Sequence, residues 1–124
     1  MFLDTWSWVE FFRGTEKGAI VRDMIDGKKL CTSILTLAEI ANWCARNGLD
    51  RIGYIKEITE TATIINLDEH RATEAGSRLV EWRKIANEMG LIDALIYTQA
   101  VCAGMPLLTG DPHFKKLANV EFVE

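Results

Sequence analysis

Residues 91–112 read Leu91-Ile92-Asp93-Ala94-Leu95-Ile96-Tyr97-Thr98-Gln99-Ala100-Val101-Cys102-Ala103-Gly104-Met105-Pro106-Leu107-Leu108-Thr109-Gly110-Asp111-Pro112. The first part, Leu91–Ala103, has the length of a helix and carries an acid in its opening turn, where the helix dipole favours one. Gly104 and Pro106 punctuate the chain, and Pro106–Thr109 is the short apolar run of a buried strand. Asp111-Pro112 then has the form of a helix cap followed by proline at the first helical position. Helix, strand and helix start make the repeating unit of an α/β fold. The uncharged run Ala94–Leu108 is shorter than the ~20 residues a membrane-spanning helix needs, and Thr98, Gln99, Gly104 and Pro106 interrupt it.

The same alternation extends in both directions from this stretch. Further strands are predicted at Met1–Leu3, Leu30–Leu35, Thr63–Leu67 and Val120–Val123. Helices are predicted at Trp6–Phe12, Ala19–Ile25, Leu37–Arg46, Asp50–Thr61 and Glu69–Met89, with a short one at Pro112–Ala118. The clearest helical stripe is Ala72, Ala75, Leu79, Trp82, Ala86 and Met89. Strands that alternate with helices imply a parallel sheet covered on both faces, hence a three-layer α/β/α domain with right-handed crossovers. Strand order is not legible from this pattern. No linker, repeat or low-complexity tract divides the chain, so residues 1–124 are expected to form one domain.

The composition, 48% hydrophobic and 26% charged over 124 residues, is that of a soluble protein able to bury a core. Cys31, Cys44 and Cys102 are odd in number and lie in apolar runs, so they read as core residues in a reducing compartment rather than disulfide partners. Met1-Phe2-Leu3-Asp4 lacks the basic start and apolar stretch of a signal peptide, and the expected location is the cytoplasm, away from membranes. A net charge of −4 argues against non-specific binding of nucleic acid through a basic surface. Any nucleic-acid chemistry must rely on local cations or a metal.

Four acids fall at the carboxyl edge of the predicted sheet, where open α/β folds place their sites. Asp4 follows the first strand, Glu39 lies just after the second, Asp111 follows the fourth, and Asp93 opens the helix before it. Each also has a purely structural reading. Thr36 and Glu39 have capping-box spacing, Asp111 precedes proline, Asp93 stands three residues after Gly90, and Asp4 could simply end its strand. Together they form a cluster of like charge that a cation would relieve, and an all-oxygen set suits Mg²⁺ or Mn²⁺. Asp68 follows a strand as well, so geometry alone would add it as a fifth member.

The segments Phe2-Leu3-Asp4-Thr5, Leu35-Thr36-Leu37-Ala38-Glu39-Ile40, Gly90-Leu91-Ile92-Asp93-Ala94-Leu95-Ile96 and Leu107-Leu108-Thr109-Gly110-Asp111-Pro112-His113-Phe114 occur in that order across the chain. In this the sequence resembles the PIN-domain family, and in particular the short toxin ribonucleases of VapBC toxin–antitoxin pairs. The resemblance implies a mainly parallel five-stranded sheet, with Asp4 and Asp111 on central strands and Asp68 on an edge strand as a helix cap. It also implies a Mg²⁺- or Mn²⁺-dependent endoribonuclease, with Asp4, Glu39, Asp93 and Asp111 as catalytic metal ligands and Thr5 and Thr109 as their hydrogen-bonding neighbours. The products implied carry 5′-phosphate and 3′-hydroxyl ends. Its partners would be RNA, a cognate antitoxin and a second copy of the chain. Trp6 departs from the pattern, standing where many members have Ser or Asn.

Two other readings stay open at this point, a PIN-fold RNA- or protein-binding module that does not cut, and a receiver-like phosphoacceptor domain. The receiver lacks support where it needs an acidic pair, since Asp4 is followed by Thr5, Trp6 and Ser7. His113 is expected to be an exposed first-turn residue, His70 a solvated one, and Lys28-Lys29 and Lys115-Lys116 solvated pairs. Trp82 reads as core, and Trp43 as core or dimer interface. Trp6 and Trp8 have no assignment, and base stacking is one option for the tryptophans. Ile40, Trp43, Cys44, Ile52, Ile55 and Ile58 suggest a homodimer surface. Trp8, Phe11, Phe12, Ile20, Val21, Met24 and Ile25 suggest a groove for a partner helix that begins near Asp4.

Overall fold

Phe2 and Leu3 are neighbours, both fully buried, yet they belong to different hydrophobic cores. That division is the consequence of strand periodicity, since successive side chains point to opposite faces of a sheet. The structure, a computed structural model, describes residues Met1 to Glu124. Along the chain run β1 (Phe2–Leu3), α1 (Thr5–Arg13), α2 (Glu16–Ile25), β2 (Cys31–Ser33), α3 (Ile34–Arg46) and α4 (Arg51–Thr61). They are followed by β3 (Thr63–Ile65), α5 (Glu69–Trp82), α6 (Leu91–Cys102), β4 (Leu107–Thr109), one turn of 3-10 helix at Pro112–Phe114, and β5 (Val120–Phe122).

The strands form one sheet in the order β3-β2-β1-β4-β5, and every pairing is parallel. Phe2 pairs with Cys31 on one side and Leu107 on the other, which puts β1 at the centre. Phe2, Cys31 and Leu107 share a core with α5 and α6 residues such as Leu79, Trp82, Ile96 and Tyr97. Leu3 and Leu108 share the other with Trp8, Val21, Ile40, Cys44 and Ile58, from α1 to α4. This is the expected three-layer α/β/α arrangement. The order also departs from the 2-1-3-4-5 sheet of receiver domains, which removes that alternative.

Buried polar groups hold the layers in register. The Thr32 hydroxyl donates to Leu3 O at 2.7 Å and accepts from Trp8 Nε1 at 3.2 Å, tying α1 to two strands. On the other face the Ser33 hydroxyl bonds Gln99 Oε1, while Gln99 Nε2 reaches Ile65 O at 3.1 Å. Gly18 of α2 crosses the backbone of α1 so closely that a Cβ there would stand 2.1 Å from Glu10 O.

Several predicted boundaries shift, each for a local reason. The second strand stops at Ser33, whose hydroxyl accepts from Leu35 N at 3.1 Å and caps α3. Thr36 is therefore a buried residue inside the helix rather than its cap, and the capping-box reading of Glu39 falls. The helix predicted to reach Met89 ends at Trp82, where Ile85 N and Ala86 N both turn back to Trp82 O. Arg83 Nε clamps this turn by donating to Met89 O at 2.9 Å, so Ala86 and Met89 still pack on the core without a helix. The third strand ends at Ile65, not Leu67, and the expected helix Pro112–Ala118 is reduced to its 3-10 turn. Cys102, read as core, is exposed at the end of α6. No helix is long and apolar enough to cross a membrane.

Candidate active site

The sheet changes direction beside β1. The chain fills positions to one side with β2 and β3, then returns to the other with β4 and β5. Crevices at such switch points, outside the carboxyl ends of the strands, are the ligand sites of open α/β sheets. Here the crevice is an open cleft of about 300 Å³ lined by Asp4, Thr5, Trp6, Val9, Glu39, Trp43, Arg46, Asp93, Ile96, Asp111 and Phe114. All four acids singled out in the sequence meet in it, although they come from four separate segments. Asp68 does not. It caps α5 by accepting from Arg71 N at 2.8 Å, beyond the edge strand β3.

Each acid is held by its local structure. Asp4 is 3% exposed and caps α1, with Oδ1 accepting from Ser7 N at 2.9 Å. Its Oδ2 accepts from the Thr109 hydroxyl, and Thr109 Oγ1 in turn accepts from Asp111 N at 3.0 Å. Thr109 thus links the first acid to the fourth. The Thr5 hydroxyl donates to Glu39 Oε1 at 2.6 Å. Its one proton being committed there, the neighbouring Thr36 hydroxyl at 3.2 Å serves as donor to Thr5. Asp93 Oδ2 accepts from Gly90 N at 3.2 Å, one half of a capping box whose other half a glycine cannot supply. Asp111 Oδ1 accepts from His113 N at 2.9 Å.

Burial raises the Asp4 carboxyl from its ordinary 3.8 to about 7, against the pull of its bonds from Thr109 and Ser7 and with Asp111 adding repulsion. Glu39 is pushed up by burial first, held back by Thr5, and pushed further by Asp93 and Asp111. Asp93 is likewise raised by burial, with Gly90 N–H and His113 acting against burial and Asp111 with it. Three carboxyls held above their usual range by burial first, with the Asp111 charge adding repulsion to each, make a site that gains from a cation.

His113 is a site residue that the sequence reading placed in solvent. Its Nδ1 lies 3.2 Å from Asp93 Oδ2 and 3.4 Å from Asp111 Oδ1, and its ring is only 37% exposed. Asp93, Asp111 and His113 offer donor atoms all within 4.8 Å of one another. The signal was the Asp111-Pro112 cap itself. A cap that bonds the N–H two residues on brings that residue's side chain back over the acid. Trp6 occupies the cleft wall directly on Gly110, where a Cβ would meet its ring at 2.3 Å. Ser7 does not replace the missing polar group at Trp6, since its hydroxyl is turned inward to Leu108 O at 2.6 Å. Trp43 and Arg46, both on α3, complete the wall.

The donor set fits a divalent cation. The donor atoms that converge are those of Asp93, Asp111 and His113, two carboxylates and one imidazole, with Asp4 and Glu39 elsewhere in the same cleft. The Asp4, Glu39 and Asp93 carboxyls are raised by burial first and by neighbouring acids second. The comparisons with known proteins bear on the fold that carries this set. The PIN domain family model matches residues 1–120. A toxin–antitoxin complex from Klebsiella pneumoniae superposes with a TM-score of 0.73 at 18% identity, covering 99% of this chain and 97% of that one. VapBC2 from Rickettsia felis, solved on a DNA fragment from its promoter, gives 0.73 at 16% identity over 98% and 95%. VapC20 of Mycobacterium tuberculosis, a Sarcin-Ricin loop cleaving toxin, gives 0.68 at 17% over 86% and 85%. No curated protein matches the sequence. At such identities the structural likeness speaks for fold alone, but the family model spans nearly the whole sequence, and the chain belongs to the PIN-domain family.

Proposed function

We propose that the chain is a divalent-metal-dependent endoribonuclease, the toxin of a cytoplasmic toxin–antitoxin pair. The observation that carries this reading is the convergence of Asp4, Glu39, Asp93 and Asp111 in one cleft at the switch point of the sheet. Asp4 and Asp93 would hold the principal Mg²⁺ or Mn²⁺, with Glu39 and Asp111 completing its surroundings. Such an ion supplies charge that activates water against a phosphodiester phosphorus and stabilises the departing oxygen. The chain's own part is positional. Thr109 and Ser7 N–H fix the Asp4 carboxyl, Thr5 fixes Glu39, and Gly90 N–H with His113 fixes Asp93. Carboxylates held this firmly need little reorganisation when charge develops.

The test is cleavage of a panel of structured RNAs. Cleavage should require Mg²⁺ or Mn²⁺, cease with EDTA, and fall by at least about a thousandfold in Asp93→Asn. Equal cleavage by that variant would remove the assignment, and no cleavage by the parent chain would favour the non-cutting binding module.

Toxin–antitoxin complexes among the structural neighbours support an antitoxin partner for this chain too. Self-pairing has narrower support than the sequence suggested, because Ile40, Cys44 and Ile58 are consumed by the chain's own core. Ile52 on α4 remains, 69% exposed. A dimeric mass by light scattering at micromolar concentration is expected, and a monomer that stays monomeric would remove the pairing.

A further inference from the structure

The cleft holds more than carboxylates. Trp6 and Trp43 line it together with the four acids, and each indole is only half-buried. The chain's other two tryptophans sit in the cores, Trp8 at 1% and Trp82 at 9% exposure. Both pack on the rim of a core and still line the concave, acidic cleft. Resting on the ribonuclease reading above, we propose that Trp6 and Trp43 form a stacking subsite for an unpaired nucleobase of single-stranded RNA, with Arg46 and Lys17 receiving its phosphates.

Both rings are fixed in place. Trp6 lies on Gly110, where any side chain would collide with three of its ring atoms at 2.3–2.8 Å. Trp43 is edge-on to Tyr54 at 5.6 Å, Tyr54 is edge-on to Phe12 at 4.9 Å, and Phe12 stacks on the buried Trp8 at 5.8 Å. This aromatic relay anchors the cleft wall in the core. Platforms already ordered lose little freedom on binding, so the stacking contact is retained as affinity.

The charges match the same ligand. A net charge of −4 and four acids at the site repel a polyanion, so its phosphates need local cations. Arg46 lines the cleft, and none of the chain's ion pairs includes it. Lys17 Nζ lies over the Trp6 ring, 5.9 Å from its centroid, a cation–π contact that a stacking base would displace. Indole faces flanked by unpaired cations are the general means of holding single strands, because every base has a π-face while a duplex keeps its bases stacked inside. A cleft of about 300 Å³ also suits one nucleotide rather than a helix.

The experiment uses a fluorescein-labelled ten-residue oligoriboadenylate and the full chain carrying Asp93→Asn, with Mg²⁺ present. Saturable anisotropy and quenching of tryptophan emission are expected, the quench arising from Trp6 and Trp43. In that background Trp43→Ala should weaken binding roughly tenfold, and Trp43→Phe should recover most of it. Arg46→Glu, an exposed change, should weaken binding similarly and flatten its salt dependence. Should Trp43→Ala fail to fold, Trp43→Phe and Arg46→Glu decide by the loss of quench and of salt dependence. Binding without quenching, unchanged binding in Arg46→Glu, or equal competition by an RNA duplex would overturn the subsite. A native chain that binds and quenches but never cuts removes the ribonuclease and leaves the subsite standing. One that cuts normally with both Trp43→Ala and Arg46→Glu does the reverse.

Discussion

Asp4 carries two hydrogen bonds and no neighbouring cation, and burial raises its carboxyl to about 7. In the unfolded chain that group titrates near 3.8, so between these values the folded state binds more protons than the unfolded one. Stability of the metal-free chain must then fall as pH rises from about 4 to about 7, by on the order of 3 kcal/mol from this residue. Glu39 and Asp93, also raised, act in the same direction. Asp4→Asn should remove most of the slope and make the EDTA-treated chain more stable than the parent at pH 8. Added Mg²⁺ should raise the parent's melting temperature and barely move the variant's. Urea unfolding at several pH values checks both, and a parent whose stability rises from pH 4 to pH 8 contradicts the account. Asp4, Asp93 and Asp111 were legible because each follows a strand or opens a helix at one edge, whereas Glu39, expected in the first turn after its strand, lies in the second turn of α3, which begins at Ile34. His113, Arg46 and the cleft placement of Trp6 and Trp43 were not, since they depend on which face a helix or a 3-10 turn presents.

At the scale of elements, the tightest constraint is the crossing of α1 and α2, set by a residue with an ordinary backbone. Gly18 is buried, and its missing Cβ makes room for Glu10 O and C, which a methyl would meet at 2.1 and 2.8 Å. The obstacle is backbone, which cannot rotate aside as a side chain would. Gly18→Ala should therefore push the two helices apart and cost about 1–3 kcal/mol by urea unfolding, despite alanine's better helix propensity. An unchanged midpoint would mean that the helices separate freely. Period-2 and period-3.6 patterns revealed which elements exist, because burial imposes those periods. They did not fix the ends. The stripe through Ala86 and Met89 continues past α5, since a compact turn buries the same side chains as another helical turn. The start of α3 at Ile34 likewise hung on which hydroxyl, Ser33 or Thr36, accepts the first free N–H.

For the whole molecule, the three-layer class followed from alternation alone, while the resemblance implied only central strands for Asp4 and Asp111 and an edge strand for Asp68. The full order β3-β2-β1-β4-β5 comes from the structure, since nothing in the strand compositions ranks them. The order matters because it separates two concavities. The acid cleft lies at the switch point, while a second hollow of about 280 Å³ is lined by Trp8, Phe11, Arg22, Ile25, Asp26, Gly27, Leu30, Glu57 and Thr61. The two share no residue, so the hollow on α1 and α2 stands apart from the acids. Trp8 and Val21 belong to the core, whereas Phe11, Met24 and Ile25 are half-buried and Ile20 is 44% exposed. An apolar floor with Arg22, Asp26 and Glu57 around it suits the mixed face of an amphipathic helix. On the toxin reading proposed above, an inhibitory partner helix should therefore bind on α1 and α2 without occupying every acid. Ile25→Glu should weaken that binding by roughly tenfold or more, the cost of a charge in an apolar seat, while RNA cleavage by the isolated chain persists. Ile20→Glu, at an exposed site that cannot disturb the core, provides the control for folding. Titration calorimetry against the partner reads both, and full affinity in the two variants would move the contact to another face.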